Sequence, residues 1–90
     1  MINNTILSFI DAKLMVENEI KSTDICSVFG CSRVKASRVF QVYLTQRPSN
    51  MKYIASKKCY VKGFVFEADF LGNRNPRLFL DAIDLIFIEK

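Results

Sequence analysis

The stretch Ser22 to Gln41, STDICSVFGCSRVKASRVFQ, restricts the fold more tightly than any other part of the chain. Ile25 and Phe29 lie four residues apart and share one face of a helix. Ala36, Val39, Phe40 and Tyr43 recur at spacings of three and four on a second. Gly30 falls where the first helix must end, in the left-handed conformation that glycine adopts with least strain. Ser32 then stands at an N-cap position ahead of RVKASRVF. Small residues at Cys26 and Ala36 let two helix axes cross closely. Apolar 25, small 26, Gly 30, apolar 31, small 36 and apolar 39 in one register describe a helix-turn-helix.

The charge of the following segment is one-signed. From Ile25 to Phe66 there are eight basic residues, namely Arg33, Lys35, Arg38, Arg47, Lys52, Lys57, Lys58 and Lys62, and no acidic one. All nine carboxylates lie outside it, so a net charge of only +4 conceals a strongly cationic middle. A solvated helix face ordinarily mixes signs; a one-signed surface suits a polyanion.

Several classes of function are disfavoured. Ninety residues make one small domain, and half of them are hydrophobic, so the chain is expected to fold rather than remain disordered. No apolar run reaches the ~18 residues of a membrane span, and the N-terminus has no basic flank to mark a signal peptide. A cytoplasmic location without a membrane partner is expected. There is no histidine, no CxxC among the three cysteines and no phosphate-cradling glycine loop. The commonest general base, a zinc ligand set and the familiar nucleophile motifs are therefore missing. The expectation is a non-enzyme with no cofactor, no metal and no small-molecule ligand. Cys26, Cys31 and Cys59 read as reduced, small hydrophobic residues.

Taken in order, Thr5 to Glu17 forms a first helix capped by Asn4 or Thr5, with Ile6, Phe9, Ile10, the Lys13 stem and Leu14 on its core face. Asn18 to Lys21 connects, with Ile20 available to a short strand. Ser22 or Thr23 caps the second helix, where Asp24 suits the helix dipole. The third helix spans Arg33 to Gln46 and turns Ala36, Val39, Phe40 and Tyr43 inward, with Leu44 a further candidate for that face. Arg33, Val34, Lys35, Ser37 and Arg38 are left outward near its N-terminus, the end that enters a major groove. Pro48 ends the helix. Met51 to Ala55 and Cys59 to Lys62 form a hairpin with Ser56, Lys57 and Lys58 at its tip, and Tyr53 and Tyr60 pair across it. Ser32, Arg47, Lys52, Lys57 and Lys58 are the candidates for phosphate. Gly63 to Leu71 folds back over the core, Gly72 to Pro76 is a loop, and Arg77 to Glu89 is a last helix, with a strand as the alternative for Leu85 to Glu89. Its Leu78, Phe79, Ala82, Ile83, Leu85 and Ile86 carry more apolar surface than one packing side requires, which points to a homodimer.

The segment DICSVFGCSRVKASRVFQVYLTQRPSNMKYIASKKCYVKGFVFEADFL resembles the N-terminal winged helix-turn-helix domain of WYL-domain transcriptional regulators, notably repressors encoded beside bacterial phage-defence operons. The residues carrying the likeness are Ile25, Phe29-Gly30, Ser32, Ala36-Ser37, Tyr43, Pro48, Asn50, Tyr53, Lys58, Tyr60 and Phe64, within Ile20 to Leu71. Arg38-Val39 stand where the pattern has an acidic residue, and a stand-alone domain without the WYL part is expected. The resemblance implies DNA-binding repression by a dimer and gives no support for effector sensing; a domain of this kind looks like a small regulator of a phage or mobile element.

The expectation is thus a mainly α fold with a small β-hairpin. Residues 1–71 form a winged helix-turn-helix and residues 72–90 a C-terminal dimerisation helix. The chain is expected to regulate transcription, as a repressor that reads an inverted repeat in double-stranded DNA. The competing reading is a protein-interaction module on a winged-helix scaffold, such as an anti-repressor or host-factor inhibitor.

Overall fold

The computed structural model describes residues 4–87. Its order is α1 (Asn4–Glu17), β1 (Glu19–Ile20), α2 (Ser22–Phe29), α3 (Arg33–Gln46), β2 (Met51–Ile54), β3 (Cys59–Lys62) and α4 (Pro76–Phe87). The three short strands form one antiparallel sheet in the order β1-β3-β2, with Tyr53 opposite Tyr60 and Ile20 also paired to Tyr60. The hairpin is therefore anchored by a third strand from the connector between α1 and α2.

Local signals set most boundaries. Gly30 ends α2 at φ 64°, and its N–H donates to the Cys26 carbonyl at 2.9 Å. Ser32 caps α3, its Oγ accepting the Lys35 N–H at 3.2 Å. The start of α2 departs from expectation. Lys21 is the cap residue, and Ser22 and Thr23 already lie inside the helix. The Asp24 carboxylate accepts the Lys21 N–H at 3.0 Å, so an acid three residues on does the work of a cap side chain. The second strand stops at Ile54, and Ala55 joins the turn. Asn75 Oδ1 accepts the Leu78 N–H at 3.0 Å and starts α4 one residue early, at Pro76. Leu85 to Phe87 are helical, while the rest of the Leu85–Glu89 alternative lies outside the described residues.

The core gathers around α1. Ile6, Leu7, Phe9, Ile10, Ala12 and Leu14 are all buried, together with Ser8 and Asp11, so this helix is enclosed nearly all round rather than along one stripe. The enclosure comes from α4, which packs along α1 and places Ile83 in the core with Phe79 and Leu80 against it. Phe29 of α2 bridges the two, edge-on to Phe9 at 5.3 Å and to Phe87 at 4.9 Å. The return segment after the hairpin covers the core only in part. Leu71 is buried and Phe66 and Phe70 are half-buried, but Phe64 and Val65 project into solvent.

A buried polar node holds that return segment in place. The Tyr43 hydroxyl donates to Asp11 Oδ1 at 2.5 Å and accepts from Asn50 Nδ2 at 2.9 Å. Asp11 Oδ2 accepts the backbone N–H groups of Phe70 and Leu71 at 2.9 and 3.0 Å. Asn50 pairs with the backbone of Glu67 in both directions. Burial pushes the Asp11 carboxyl above its ordinary range even though three donors favour its charged form, and it raises the Tyr43 phenol as well. Arg74 closes the same edge, donating to Ser8 Oγ and to the Phe70 and Leu71 carbonyls. Gly63 permits the close approach of this segment. A β-carbon there would meet the Ser49 carbonyl oxygen at 2.1 Å.

Candidate nucleic-acid interface

The face of α3 that sequence periodicity assigns to the core is buried at Ala36, Val39, Phe40 and Tyr43. That packing fixes the rotation of the helix and leaves Arg33, Val34, Lys35, Ser37 and Arg38 in solvent. Val34 is 71% exposed, an apolar side chain with no packing role among these polar neighbours. Ser32 divides its chemistry: its oxygen serves as the cap acceptor, and its O–H is still a donor. The rigid, capped N-terminal turn of α3 thus presents guanidinium, ammonium, hydroxyl and methyl groups along one edge. These are the groups able to read base edges in a major groove.

The hairpin stands beside this edge. Tyr60 packs on Phe40 of α3 with ring centroids 4.7 Å apart, and Tyr53 meets Tyr60 at 5.1 Å. This aromatic ladder sets the spacing between helix and hairpin, and burial beside Tyr53 raises the Tyr60 phenol. Between them lies a cleft of about 360 Å³, walled by Arg33, Ser37 and Phe40 on the helix side and by Tyr53, Lys58 and Tyr60 on the hairpin side. Lys52, Lys57 and Lys58 are all exposed. Lys57 lies 3.4 Å from the Glu19 carboxylate, a pair exposed on both sides and therefore weak. Lys58 ends the turn at φ 55°, in the left-handed region.

Arg47 is paired within the fold. Its guanidinium is held by Glu67 and by Asp69, the latter at 2.9 Å, and its side chain is only a quarter exposed. It ties the end of α3 to the return segment, because the chain brings two carboxylates back over it. Arg47 is thus engaged in an internal ion pair. The α4 residues also divide. Leu78, Ala82, Leu85 and Ile86, at intervals of four, three and one, share an exposed face. Ile83 is buried in the core and Phe79 packs against it half-buried.

Sequence reasoning overlooked Lys21 and Ser22, which also border the cleft, and the buried pair Asp11 and Asn50. A lone carboxylate inside the apolar run ILSFIDA was a usable signal, since such a group is buried only with partners. Lys21 had none, because its place depends on how α2 meets the hairpin. The thiols Cys26, Cys31 and Cys59 are free, and burial beside Cys26 raises the Cys31 thiol.

Two helices crossing at a capped glycine turn, followed by a hairpin beside the second, define a winged helix-turn-helix. The chain belongs to the family described as the BrxR transcriptional regulator winged helix-turn-helix domain, whose model matches residues 3–81. That match runs ten residues past Leu71, where the likeness visible in the sequence stopped, and takes in the first half of α4. No curated protein matches the chain. The chain is therefore a winged-helix domain of a DNA-binding transcriptional regulator. No helix among the described residues is long and apolar enough to cross a membrane.

Proposed function

We propose that this chain is a sequence-specific repressor that binds an inverted-repeat operator as a homodimer. The observation that carries the reading is the N-terminal half of α3. Five exposed side chains, three of them cationic, stand on a helix whose opposite face is locked in the core. No acidic residue occurs between Ile25 and Phe66 to oppose a polyanion. Arg33, Val34, Lys35, Ser37 and Arg38 read base edges, with Arg suited to guanine and Val34 to a thymine methyl. Ser32, Lys52, Lys57 and Lys58 contact phosphate, adding affinity without sequence information.

Leu78, Ala82, Leu85 and Ile86 form the dimer contact. An exposed apolar stripe on a helix whose other side is already packed is best covered by its own two-fold mate. Two-fold symmetry then sets the recognition helices about 34 Å apart, or a multiple of that. Repression follows most simply, because occupancy of a promoter is sufficient for it. The test is binding to the duplex upstream of the chain's own coding sequence against a scrambled duplex, at low and raised salt. Preference for the native sequence that persists at raised salt supports the reading. Equal binding that vanishes with salt overturns it, and the apolar face of α4 then becomes the site of a different protein partner.

A further inference from the structure

We propose that the cleft between the hairpin and the start of α3 is a phosphate clamp, in which Lys21, Arg33 and Lys58 together grip one phosphodiester of the DNA strand leaving the groove. This rests on the DNA-binding reading; it adds Lys21 to the interface and moves Arg33 from the base-edge set to a phosphate shared with Lys21 and Lys58. Each comes from a different element: Lys21 caps α2, Arg33 opens α3 and Lys58 closes the turn of the hairpin. All three border the same cleft of about 360 Å³, with the hydroxyls of Ser22 and Ser37 and the phenols of Tyr53 and Tyr60. No carboxylate of the described residues lines it.

Among the described residues, ion pairs engage Lys13, Arg47 and Lys57, and none engages Lys21, Arg33 or Lys58. Glu19 and Asp24 are the acids nearest Lys21 along the chain, and Asp24 accepts the Lys21 backbone N–H through its carboxylate. Glu19 lies against Lys57. Three like charges around one small cleft repel one another, and a bound anion reverses the sign of that interaction. Lys58 keeps a charged side chain at a left-handed position where glycine or asparagine would be less strained. A free mononucleotide offers the same phosphate chemistry. The duplex is favoured because the cleft is continuous with the exposed edge of α3 through Arg33 and Ser37, so a strand in contact with that edge passes over it.

The experiment compares the full chain with Lys21→Gln, Arg38→Ala and, as a cation outside the cleft, Lys13→Gln. Affinity for native and scrambled duplexes is read by anisotropy across a salt series, with thermal melting to establish folding. Lys21→Gln should weaken both duplexes by the same factor and lower the slope of log affinity against log salt by about one. Lys13→Gln should leave that slope unchanged. An unchanged slope in Lys21→Gln, with preference for the native duplex lost in Arg38→Ala, overturns the clamp and leaves the DNA reading standing. Failure of the wild-type chain to prefer its native duplex removes the reading itself. Titration with a deoxynucleoside monophosphate, followed through the tyrosine resonances, separates the two sources. If Lys21→Gln abolishes that binding without altering the duplex slope, the cleft belongs to a free nucleotide and the clamp is refuted.

Discussion

Tyr43→Phe removes a single oxygen and tests whether the buried polar node holds the fold together. The ring is fully buried and keeps its packing in the variant, so the change isolates two hydrogen bonds. The bond to Asp11 is charge-assisted when Asp11 is ionised and is worth about 1.5–3 kcal/mol. The bond from Asn50 is neutral, about 0.5–1 kcal/mol, and Asn50 Nδ2 retains the Glu67 carbonyl at 2.7 Å. A loss of about 2–4 kcal/mol is expected at neutral pH, a large fraction of the ~5–15 kcal/mol of a small domain. The loss should shrink at acid pH, because a protonated Asp11 turns the stronger bond into an ordinary one. The assay is urea unfolding of wild type and variant at pH 7 and near the acid limit of folding, with Asp11→Asn and the double variant closing a thermodynamic cycle. A loss below about 0.5 kcal/mol, or one equal at both pH values, would refute the reasoning.

Other expectations follow from the same structure. The raised carboxyl of Asp11 makes its own contribution to stability full below the unfolded value of 3.8, and that contribution is lost as pH rises through the folded value. Asp11→Asn should therefore flatten the pH profile of stability in that window; an unchanged profile would remove Asp11 as its source. Gly63→Ala should destabilise by about 1–3 kcal/mol, since its new methyl meets the Ser49 carbonyl. Gly30→Ala should lose about 1–2 kcal/mol from φ 64° alone, because a β-carbon there meets nothing within 4 Å; urea unfolding of the two variants checks both figures. Arg38→Ala should lose about 1–3 kcal/mol on the native duplex and much less on a scrambled one, by titration at fixed salt. Leu85→Glu should leave the melting temperature nearly unchanged and shift sedimentation toward monomer, as its side chain is 83% exposed.

The features legible before any fold was known are local ones. Gly30, Ser32 and the spacing of Ala36, Val39, Phe40 and Tyr43 specify the turn, the cap and the inward face of α3 within a few residues of one another. Backbone conformation and helical period act over that range, so these features were legible before any fold was known. The hairpin and its Tyr53–Tyr60 pair were legible for the same reason, through alternation and a short turn. The tertiary structure decided what depends on distant segments meeting. Glu67 claims Arg47 across 20 positions, and Leu71 reaches Asp11 across 60. In α4, the proximity of α1 decides that Phe79 and Ile83 are core while Leu78 and Leu85 stay exposed. The sequence shows how apolar that helix is, and only its neighbour shows which side is already covered. Lys21 reaches the cleft by the same logic, because long-range packing sets which charges share a surface and which are neutralised within the fold.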